Sequence, residues 1–345
     1  MNISVVGASG DIGREIVTKL VEMRAMDHEA TLQLVGRSVG RSSSFLYGMM
    51  SDIQDAHAEI SPRLEIALDP DGVRGDLVIF CAGETIPTDP HNLKDRDSLA
   101  AANAPVFRDY AQAIAKNGHS EQIVIVVSNP VELAVHIFTQ YIDRKRVIGM
   151  GSFLDTIRFR REIAEDLGVR RQRVRGLVVG QHGAGMVPLW STVGVYGFDN
   201  EAGRAKLEEV RHRNRIPAGE AMKMAKDLIM ANRAGEALEM VQHLPPDLRV
   251  LVEPFIAHLT GAKTRVGTSE IVLRLVETIS MGTEVMTACQ AKVEGEFVGV
   301  RSVIGVPILL SHQGITEILP LSVWPDEEKA FRTSAEQINQ FLAKY

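Results

Sequence analysis

The sequence contains few cysteines and no long apolar run. Only Cys81 and Cys289 occur among 345 residues, so a disulfide framework is excluded, and Cys81 is expected to be a small buried hydrophobic residue. No uncharged apolar run reaches about 18 residues, so no segment is expected to span a membrane. An apolar strand begins almost at Met1, so we expect no signal peptide and a cytoplasmic protein.

Charge and histidine content narrow the range of functions further. The formal net charge of -6 argues against general nucleic-acid binding, and the basic runs at 158–161, 170–175 and 211–215 are expected to be solvated faces. The ten histidines are scattered and do not pair with cysteines or acids at ligand spacing, so no metal site is expected. The composition, 45% hydrophobic and 24% charged, fits a globular protein of one large or two medium domains.

The first segment with a chemical signature is a glycine-rich turn between a strand and a helix. An apolar run from Ile3 to Val6 predicts a buried strand, and apolar residues at helical spacing from Ile12 onward predict a helix. Glycines at such a turn let the backbone approach a pyrophosphate, and the helix N-terminus offers N–H groups and a positive dipole end. A turn that binds nothing has the same pattern. The predicted dinucleotide contacts are Gly7, Gly10, Asp11, Ile12 and Gly13.

The end of the second predicted strand bears on the choice of cofactor. A unit that prefers NAD carries an acid there, which accepts a hydrogen bond from the ribose 2′-hydroxyl. This chain instead reads Gly36-Arg37-Ser38, followed by a second arginine and three serines. Arginine and hydroxyl groups suit a 2′-phosphate, so we expect Gly36, Arg37 and Ser38 to favour NADP over NAD. A flexible Gly/Ser loop with incidental charge is the alternative.

Strands and helices alternate through the first half of the chain. Apolar strands are predicted at 76–83, 123–127 and 147–149, with a helix at 99–116, and this alternation is typical of an α/β, doubly wound parallel sheet. Ligands collect at the carboxyl ends of such strands, where Ala82-Gly83 and Ser128-Asn129 stand. Residues 84–96 form a polar, proline-punctuated stretch of the kind that makes active-site lids.

The second half contains several short motifs, none of which indicates a function when it is taken alone. Asp155 and Arg158 share a face of a predicted helix, as an ordinary surface ion pair does. His182 stands between glycines at a strand end, where a turn residue is the simpler interpretation. The region 201–262 is helical in pattern with a break at Pro245-Pro246, and it is expected to be a surface excursion or a subunit contact.

Together these fragments resemble the lactate/malate dehydrogenase family over nearly the whole chain. The resemblance looks strongest to malate dehydrogenases whose sequences resemble lactate dehydrogenases. It implies an N-terminal Rossmann domain with a doubly wound parallel sheet (1–150), a C-terminal α+β substrate domain (151–345), and a homodimer or homotetramer. The pieces that match in family order and spacing are Gly7 to Gly13, Ser128-Asn129-Pro130, Leu154 to Arg160, His182-Gly183 with Val187-Pro188, and the hairpin at 293–307.

The resemblance implies a role for each matched residue. His182 would exchange the proton of the substrate hydroxyl, because imidazole titrates near neutral pH, and Asp155 would fix its tautomer. Arg158 would hold the C1 carboxylate with its planar fork, and Arg96 would swing in to polarise the C2 oxygen. The other implied contacts are Asn129 and Thr268 for the substrate, and Ala82, Gly83, Asn103, Ser128 and Asn129 for the cofactor.

The lid departs from the family pattern. It has neither the arginine by which malate enzymes hold the second carboxylate nor the glutamine of lactate enzymes. Glu84 and Asp89 would repel a dicarboxylate unless they pointed away, and His91 or Lys94 could supply the missing cation.

The segment around the histidine departs as well. Gln181 and Ala184 flank His182 where the family usually has acids. The acid after His-Gly is mainly structural, so Ala184 is expected to alter packing and to leave the chemistry in place.

Three functions compete. The leading one is an NAD(P)-dependent malate dehydrogenase, and the alternative is a lactate or other 2-hydroxy-acid dehydrogenase with the same machinery. Either enzyme would have a small 2-hydroxy or 2-oxo acid as its partner, with no nucleic acid or membrane. The third is a non-catalytic dinucleotide-binding protein, against which the joint presence of His182, Asp155, Arg158, Arg96 and Asn129 argues.

Overall fold

The computed structural model describes residues 1–85, 87, 96–261 and 264–345. Asp89, His91 and Lys94, named above for the lid, lie outside these ranges. The strands are β1 (Ile3–Val6), β2 (Thr31–Val35), β3 (Arg63–Ala67), β4 (Leu77–Phe80), β5 (Ile123–Val126), β6 (Val147–Gly149), β7 (Val174–Gly180), β8 (Met186–Val195), β9 (Val285–Glu294), β10 (Arg301–Ser311) and β11 (Gly314–Ile318). The helices are α1 (Asp11–Glu22), α2 (Ser42–Ala56), α3 (Arg96–Asn117), α4 (Val131–Phe138), α5 (Gly151–Leu167), α6 (Glu201–His212), α7 (Ala218–Met230), α8 (Ala234–Gln242), α9 (Pro246–Leu259), α10 (Arg265–Met281) and α11 (Pro325–Leu342).

The first six strands form a parallel sheet in the order β3-β2-β1-β4-β5-β6. Strands β1, β4 and β5 are apolar, except for Ser4, and buried along their whole length, as expected where helices cover both faces of a sheet. The doubly wound α/β fold predicted from the sequence is therefore confirmed, with its strand order reversing beside β1. One detail differs, because Ser42 to Ser44, weighed above as part of a flexible loop, open helix α2.

The second half continues the same sheet with antiparallel strands. Gly149 of β6 pairs with Gln290 of β9, and β9 forms a long hairpin with β10, to which β7 and β11 are also paired. The hairpin expected at 293–307 is present, and the C-terminal half is α+β as predicted. Since one sheet joins the two halves, the division at residue 150 stays a prediction.

Helices α6 to α9 fill the region 201–262. Helices α7, α8 and α9 pack around an apolar cluster of their own, which includes Ala221, Ala237, Val241 and Val252. The predicted break is present, with Pro246 as the first residue of α9, where its missing N–H costs nothing. Within the described ranges, no helix is long and apolar enough to cross a membrane.

A buried ion cluster holds α9 against α5. The Arg249 side chain is nearly inaccessible, and its guanidinium lies 2.6 Å from a Glu162 carboxylate oxygen and 2.9 Å from an Asp166 oxygen. It also donates to the main-chain oxygens of Gln242, Leu244 and Glu162. Removing one partner of such a cluster leaves buried charge uncompensated, so the docking of α9 depends on Arg249.

We expect Arg249→Met to lower the free energy of unfolding by about 3 kcal/mol, because Glu162 and Asp166 would stay buried with fewer partners. Urea unfolding followed by circular dichroism measures the loss. The matched control is Arg233→Met, which breaks an exposed pair with Glu236 on α8 and should leave the free energy of unfolding nearly unchanged. Equal losses in the two variants would contradict the role of the cluster.

Candidate functional site

The centre of the site is a buried carboxylate with two cationic neighbours. Asp155 on α5 has no exposed surface, and its Oδ2 lies 2.7 Å from Nδ1 of His182. Its Oδ1 accepts a hydrogen bond from Nη1 of Arg158, one turn along the same helix, at 3.2 Å. The three residues that looked unremarkable separately are thus brought together, with Nε2 of His182 left for a substrate.

Local backbone geometry allows this contact. His182 lies two residues beyond the end of β7, and Gly183 after it has a φ of +95°, which turns the chain back into β8. Gly151 opens α5 directly beneath the imidazole, where a Cβ atom would lie 2.6 Å from His182 Cγ. A side chain at position 151 would therefore displace the histidine.

The electrostatics of the site favour a charged imidazole. Burial alone lowers the pKa of His182, but the carboxylates of Asp155 and Glu132 outweigh it and raise the pKa above its usual value. Arg158 opposes this effect. Burial also lowers the pKa of Arg158, and the neighbouring Asp155 carboxylate acts in the opposite direction. A guanidinium that is poorly hydrated in this way binds a carboxylate partner more strongly.

A cavity of about 640 Å³ opens in front of these residues. Asn129, Asp155, Arg158, His182 and Thr268, all expected at the substrate, line it. Its opposite wall comes from α7 and α9, which corrects the expectation that 201–262 is only a surface excursion or subunit contact. That wall consists of Ala218, Gly219, Met222, Leu251, Pro254, Phe255 and His258.

A second cavity of about 450 Å³ adjoins the first, with Val127, Asn129, His258, Thr264 and Thr268 lining both. It runs from the start of α1 along the carboxyl ends of β4 and β5. Of the expected cofactor contacts, Gly10, Asp11, Ile12, Gly13, Ala82, Gly83, Ser128 and Asn129 line it.

The glycine turn is shaped by its own backbone. Gly7 has a φ of +85°, and a Cβ atom at Gly13 would lie 2.3 Å from the Gly7 carbonyl oxygen. Gly7 and Gly13 therefore permit the tight turn. A Cβ atom at Gly10 would meet only the Gly7 carbonyl oxygen, at 3.3 Å, and Gly10 lines the cavity. Asp11, at the start of α1, accepts a hydrogen bond from Arg14, which offsets its charge near a phosphate.

Gly36, Arg37 and Ser38 lie beyond the cavity, at the carboxyl end of β2. Arg37 and Ser38 are exposed, while Gly36 is buried. The Arg37 backbone N–H donates to Ser42 Oγ, which in turn contacts Ser9 Oγ of the glycine turn at 2.8 Å. This loop is therefore fastened next to the turn, where the adenosine end of a dinucleotide lies in this fold.

Arg96 and Asn103, like Gly7 and the loop residues Gly36, Arg37 and Ser38, do not line either cavity. Nη2 of Arg96 donates to Oε2 of Glu132 at 2.7 Å, and its guanidinium stacks over Phe341. Asn103 uses its amide to hold the backbone, accepting from the Glu84 N–H and donating to the carbonyls of Glu84 and Asn129. Asn103 thus shapes the two loops that carry Gly83 and Asn129.

Sequence reasoning missed three residues at the site. His258 and Thr264 stand in or beside the helical region 201–262 and belong to no local motif. Glu132, two residues beyond Pro130, is 1% exposed and accepts the His182 backbone N–H at 2.7 Å. An acid just inside α4 was the available signal, because a helix of otherwise apolar residues has little reason to bury one.

Among residues 1–85, 87, 96–261 and 264–345, no group of three or more His, Cys, Asp or Glu side chains is placed to hold a metal ion. Cys81 lines the second cavity, but burial raises the pKa of its thiol, so it stays protonated and is a poor nucleophile.

The fold and the site together define a dinucleotide-binding protein with a histidine–aspartate pair and a buried arginine beside the nucleotide cleft. The family model "lactate/malate dehydrogenase, NAD binding domain" matches residues 1–149, and "lactate/malate dehydrogenase, alpha/beta C-terminal domain" matches residues 152–214. The chain belongs to the lactate/malate dehydrogenase family.

Individual relatives agree along the whole length. The chain is 29% identical over 344 residues to a malate dehydrogenase of Methanothermobacter thermautotrophicus, which covers 98% of this chain and 95% of that protein. It is 29% identical to an L-2-hydroxycarboxylate dehydrogenase (NAD(P)(+)) of Methanocaldococcus jannaschii, covering 99% and 98%. A minor L-lactate dehydrogenase structure from Enterococcus mundtii has the same fold, with a TM-score of 0.73, 23% identity and coverage of 99% and 98%.

Proposed function

We propose that this chain is a nicotinamide-dependent dehydrogenase that interconverts malate and oxaloacetate. The relatives carry the names of malate and 2-hydroxycarboxylate dehydrogenases. The observation that carries the proposal is the contact of 2.7 Å between His182 and the buried Asp155, with Arg158 on the same carboxylate. This set stands beside a cleft whose glycine turn fits a dinucleotide.

The described residues fit the cofactor. The α1 N-terminus with Gly10 and Gly13 would hold the pyrophosphate, and Ala82, Gly83 and Ser128 would lie along the remainder of the molecule. A bound nicotinamide would supply the hydride chemistry at C2, as acceptor for the hydroxy acid and as donor for the oxo acid.

The side chains of the first cavity then supply binding and proton transfer. Arg158 binds the C1 carboxylate, and its contact with Asp155 limits its orientation. In oxidation, Nε2 of His182 takes the hydroxyl proton while Nδ1–H donates to Asp155, which stabilises the imidazolium. Asn129 borders both cavities, so it can contact the C2 oxygen and the nicotinamide together. Arg96 joins this set only when its guanidinium leaves Glu132.

For the cofactor we propose a preference for NADP. Arg37 is exposed on the loop tied to the glycine turn through Ser42 and Ser9, and no acid stands at the end of β2 to accept a ribose hydroxyl. A guanidinium there can pair with a 2′-phosphate.

A second candidate is a dehydrogenase for 2-hydroxy acids with apolar side chains. Met222, Leu251, Pro254 and Phe255 form a partly buried apolar wall of the cavity that His182 also lines. An apolar side chain would gain free energy by displacing water from this wall, whereas a second carboxylate would lose hydration against it.

We also propose that the chain assembles as a homodimer or homotetramer and divides at residue 150. Exposed apolar side chains on α2 and α10, namely Phe45, Tyr47 and Val266, support an interface on these helices. Multi-angle light scattering measures the mass in solution and would exclude an assembly if the chain ran as a monomer of about 38 kDa.

Replacing the proposed base tests the reaction itself. His182→Ala should lower kcat for oxaloacetate reduction and malate oxidation by at least ~100-fold, because the proton has no acceptor, while NADPH still binds. Stopped-flow absorbance and nicotinamide fluorescence measure the two effects. The control is His119→Ala, an exposed histidine beside β4 whose loss should leave the rate unchanged. A turnover in His182→Ala close to that of the unmodified chain would rule out the assigned role.

Charge reversal on the β2 loop tests the cofactor preference. Arg37→Asp should lower the ratio of kcat/KM for NADPH over NADH by about 10- to 100-fold, because it removes a phosphate partner and supplies a ribose acceptor. Arg63→Asp is the matched control, an equal charge change on the exposed amino end of β3. If this ratio of kcat/KM is unchanged in Arg37→Asp, the loop does not discriminate between a phosphate and a hydroxyl at the ribose 2′-position.

The two substrate candidates separate in one assay. The assay compares the rates of reduction of oxaloacetate, pyruvate and 4-methyl-2-oxopentanoate. A malate dehydrogenase should prefer oxaloacetate, whereas an enzyme that uses the apolar wall should prefer 4-methyl-2-oxopentanoate. If the chain reduces none of the three, a non-catalytic protein is favoured. Met222→Arg should shift the kcat/KM ratio toward oxaloacetate by about tenfold, by adding a cation to the wall. Met224→Arg on the exposed face of α7 is the control and should not shift it.

A further inference from the structure

A buried carboxylate near the site has no part in the functions argued so far. Glu132 is 1% exposed and makes two charge-assisted contacts. Its Oε1 accepts the backbone N–H of His182 at 2.7 Å, and its Oε2 accepts Nη2 of Arg96 at 2.7 Å. It is the link between the residue proposed as the base and the arginine that opens α3, directly after the lid.

We propose that Glu132 is a positioning residue that fixes the backbone of His182 and couples the protonation of its imidazole to the position of Arg96. This inference rests on the proposed function only in so far as His182 is the base. The coupling itself is a property of the folded chain and can be measured without turnover.

The backbone around His182 needs an external anchor. Gly180 and Gly183 have φ values of +86° and +95°, and glycine adopts many other conformations at little cost. Asp155 restrains the imidazole at Nδ1 but not the peptide that carries it. The contact with Glu132 fixes the backbone N–H of His182, and Asp155 fixes Nδ1 of its imidazole. Together the two contacts define the direction in which Nε2 points.

The charges around the imidazole make the coupling electrostatic as well. Asp155 and Arg158 face it from α5, Glu132 from α4, and His258 from α9 across the cavity. Arg96 reaches this group only through Glu132, whose charge it offsets. When Arg96 leaves Glu132 and stays away from the imidazole, the carboxylate acts on His182 without its counter-charge and holds the proton more firmly. Because a protonated His182 is the form needed to reduce an oxo acid, the separation of Arg96 from Glu132 favours that form.

Substitution of Glu132 and substitution of Arg96 should therefore shift the pKa of His182 in opposite directions. In the full chain, Glu132→Gln should lower the pKa of His182 by about one unit and Arg96→Gln should raise it, because they remove opposite charges. The imidazole resonances, assigned by difference from His182→Asn, give this pKa by NMR titration. Glu327→Gln is the matched control, since that carboxylate is also buried and accepts two backbone N–H groups, from Ser191 and Trp324, outside the site.

Kinetics give a separate readout. Oxidation needs neutral His182, so the low-pH limb of kcat/KM for malate should move to lower pH in Glu132→Gln and stay in place in Glu327→Gln. Unchanged titrations in both Glu132→Gln and Arg96→Gln, or shifts of the same sign, would overturn the proposal. If Glu132→Gln does not fold, Arg96→Gln alone decides by the presence or absence of the upward shift. If the unmodified chain shows no turnover, the proposed dehydrogenase function is refuted, but the pKa titration still tests the coupling.

Discussion

The carboxylate of Asp155 is the point on which the site depends. A fully buried anion is costly unless it is paired and hydrogen-bonded, and here His182 and Arg158 supply both partners. The cost acts as a restraint, because any displacement of the histidine or the arginine would leave a charge uncompensated in the interior. The same interaction that holds α5 against the end of β7 thus keeps a base and a carboxylate receptor at a fixed separation.

Much of the framework could be predicted because it follows from local patterns. The apolar run of β1, the glycines after it and the helical spacing from Ile12 specify a strand, a turn and a helix without reference to the remainder of the chain. Strand β3 and helix α2 carry weaker patterns, and the serines at 42–44 are as common in loops as at a helix start.

The site could be predicted only through the family resemblance, since its members are far apart in sequence. Asp155 and Arg158 form a motif on one helix, but nothing local connects them with His182. The partner of Arg96 could not be predicted at all. In the structure its guanidinium contacts Glu132 and packs over Phe341, and no local sequence pattern connects Arg96 with either residue. His258 and the apolar wall were missed for a related reason, because helices that pack on their own cluster give a pattern of burial and no sign of what they enclose.

The two cavities are built in different ways, and this determines where variation can occur. The cofactor side is formed largely by main chain at the glycine turn and at the ends of β4 and β5, where a Cβ atom would already be too close at Gly7 or Gly13. The cavity in front of His182 is formed by side chains, with polar and charged groups on α5 and just beyond β7 and apolar groups on α7 and α9. A change on the first side alters the backbone and so the fold, whereas a change in the wall residues of α7 or α9 alters the surface that the cavity presents. Arg249, which holds α9 to α5, does not line this cavity, so the wall side chains can change while that ion cluster is kept. The charged groups of the site and its apolar wall therefore stand on separate elements, joined by one buried ion cluster.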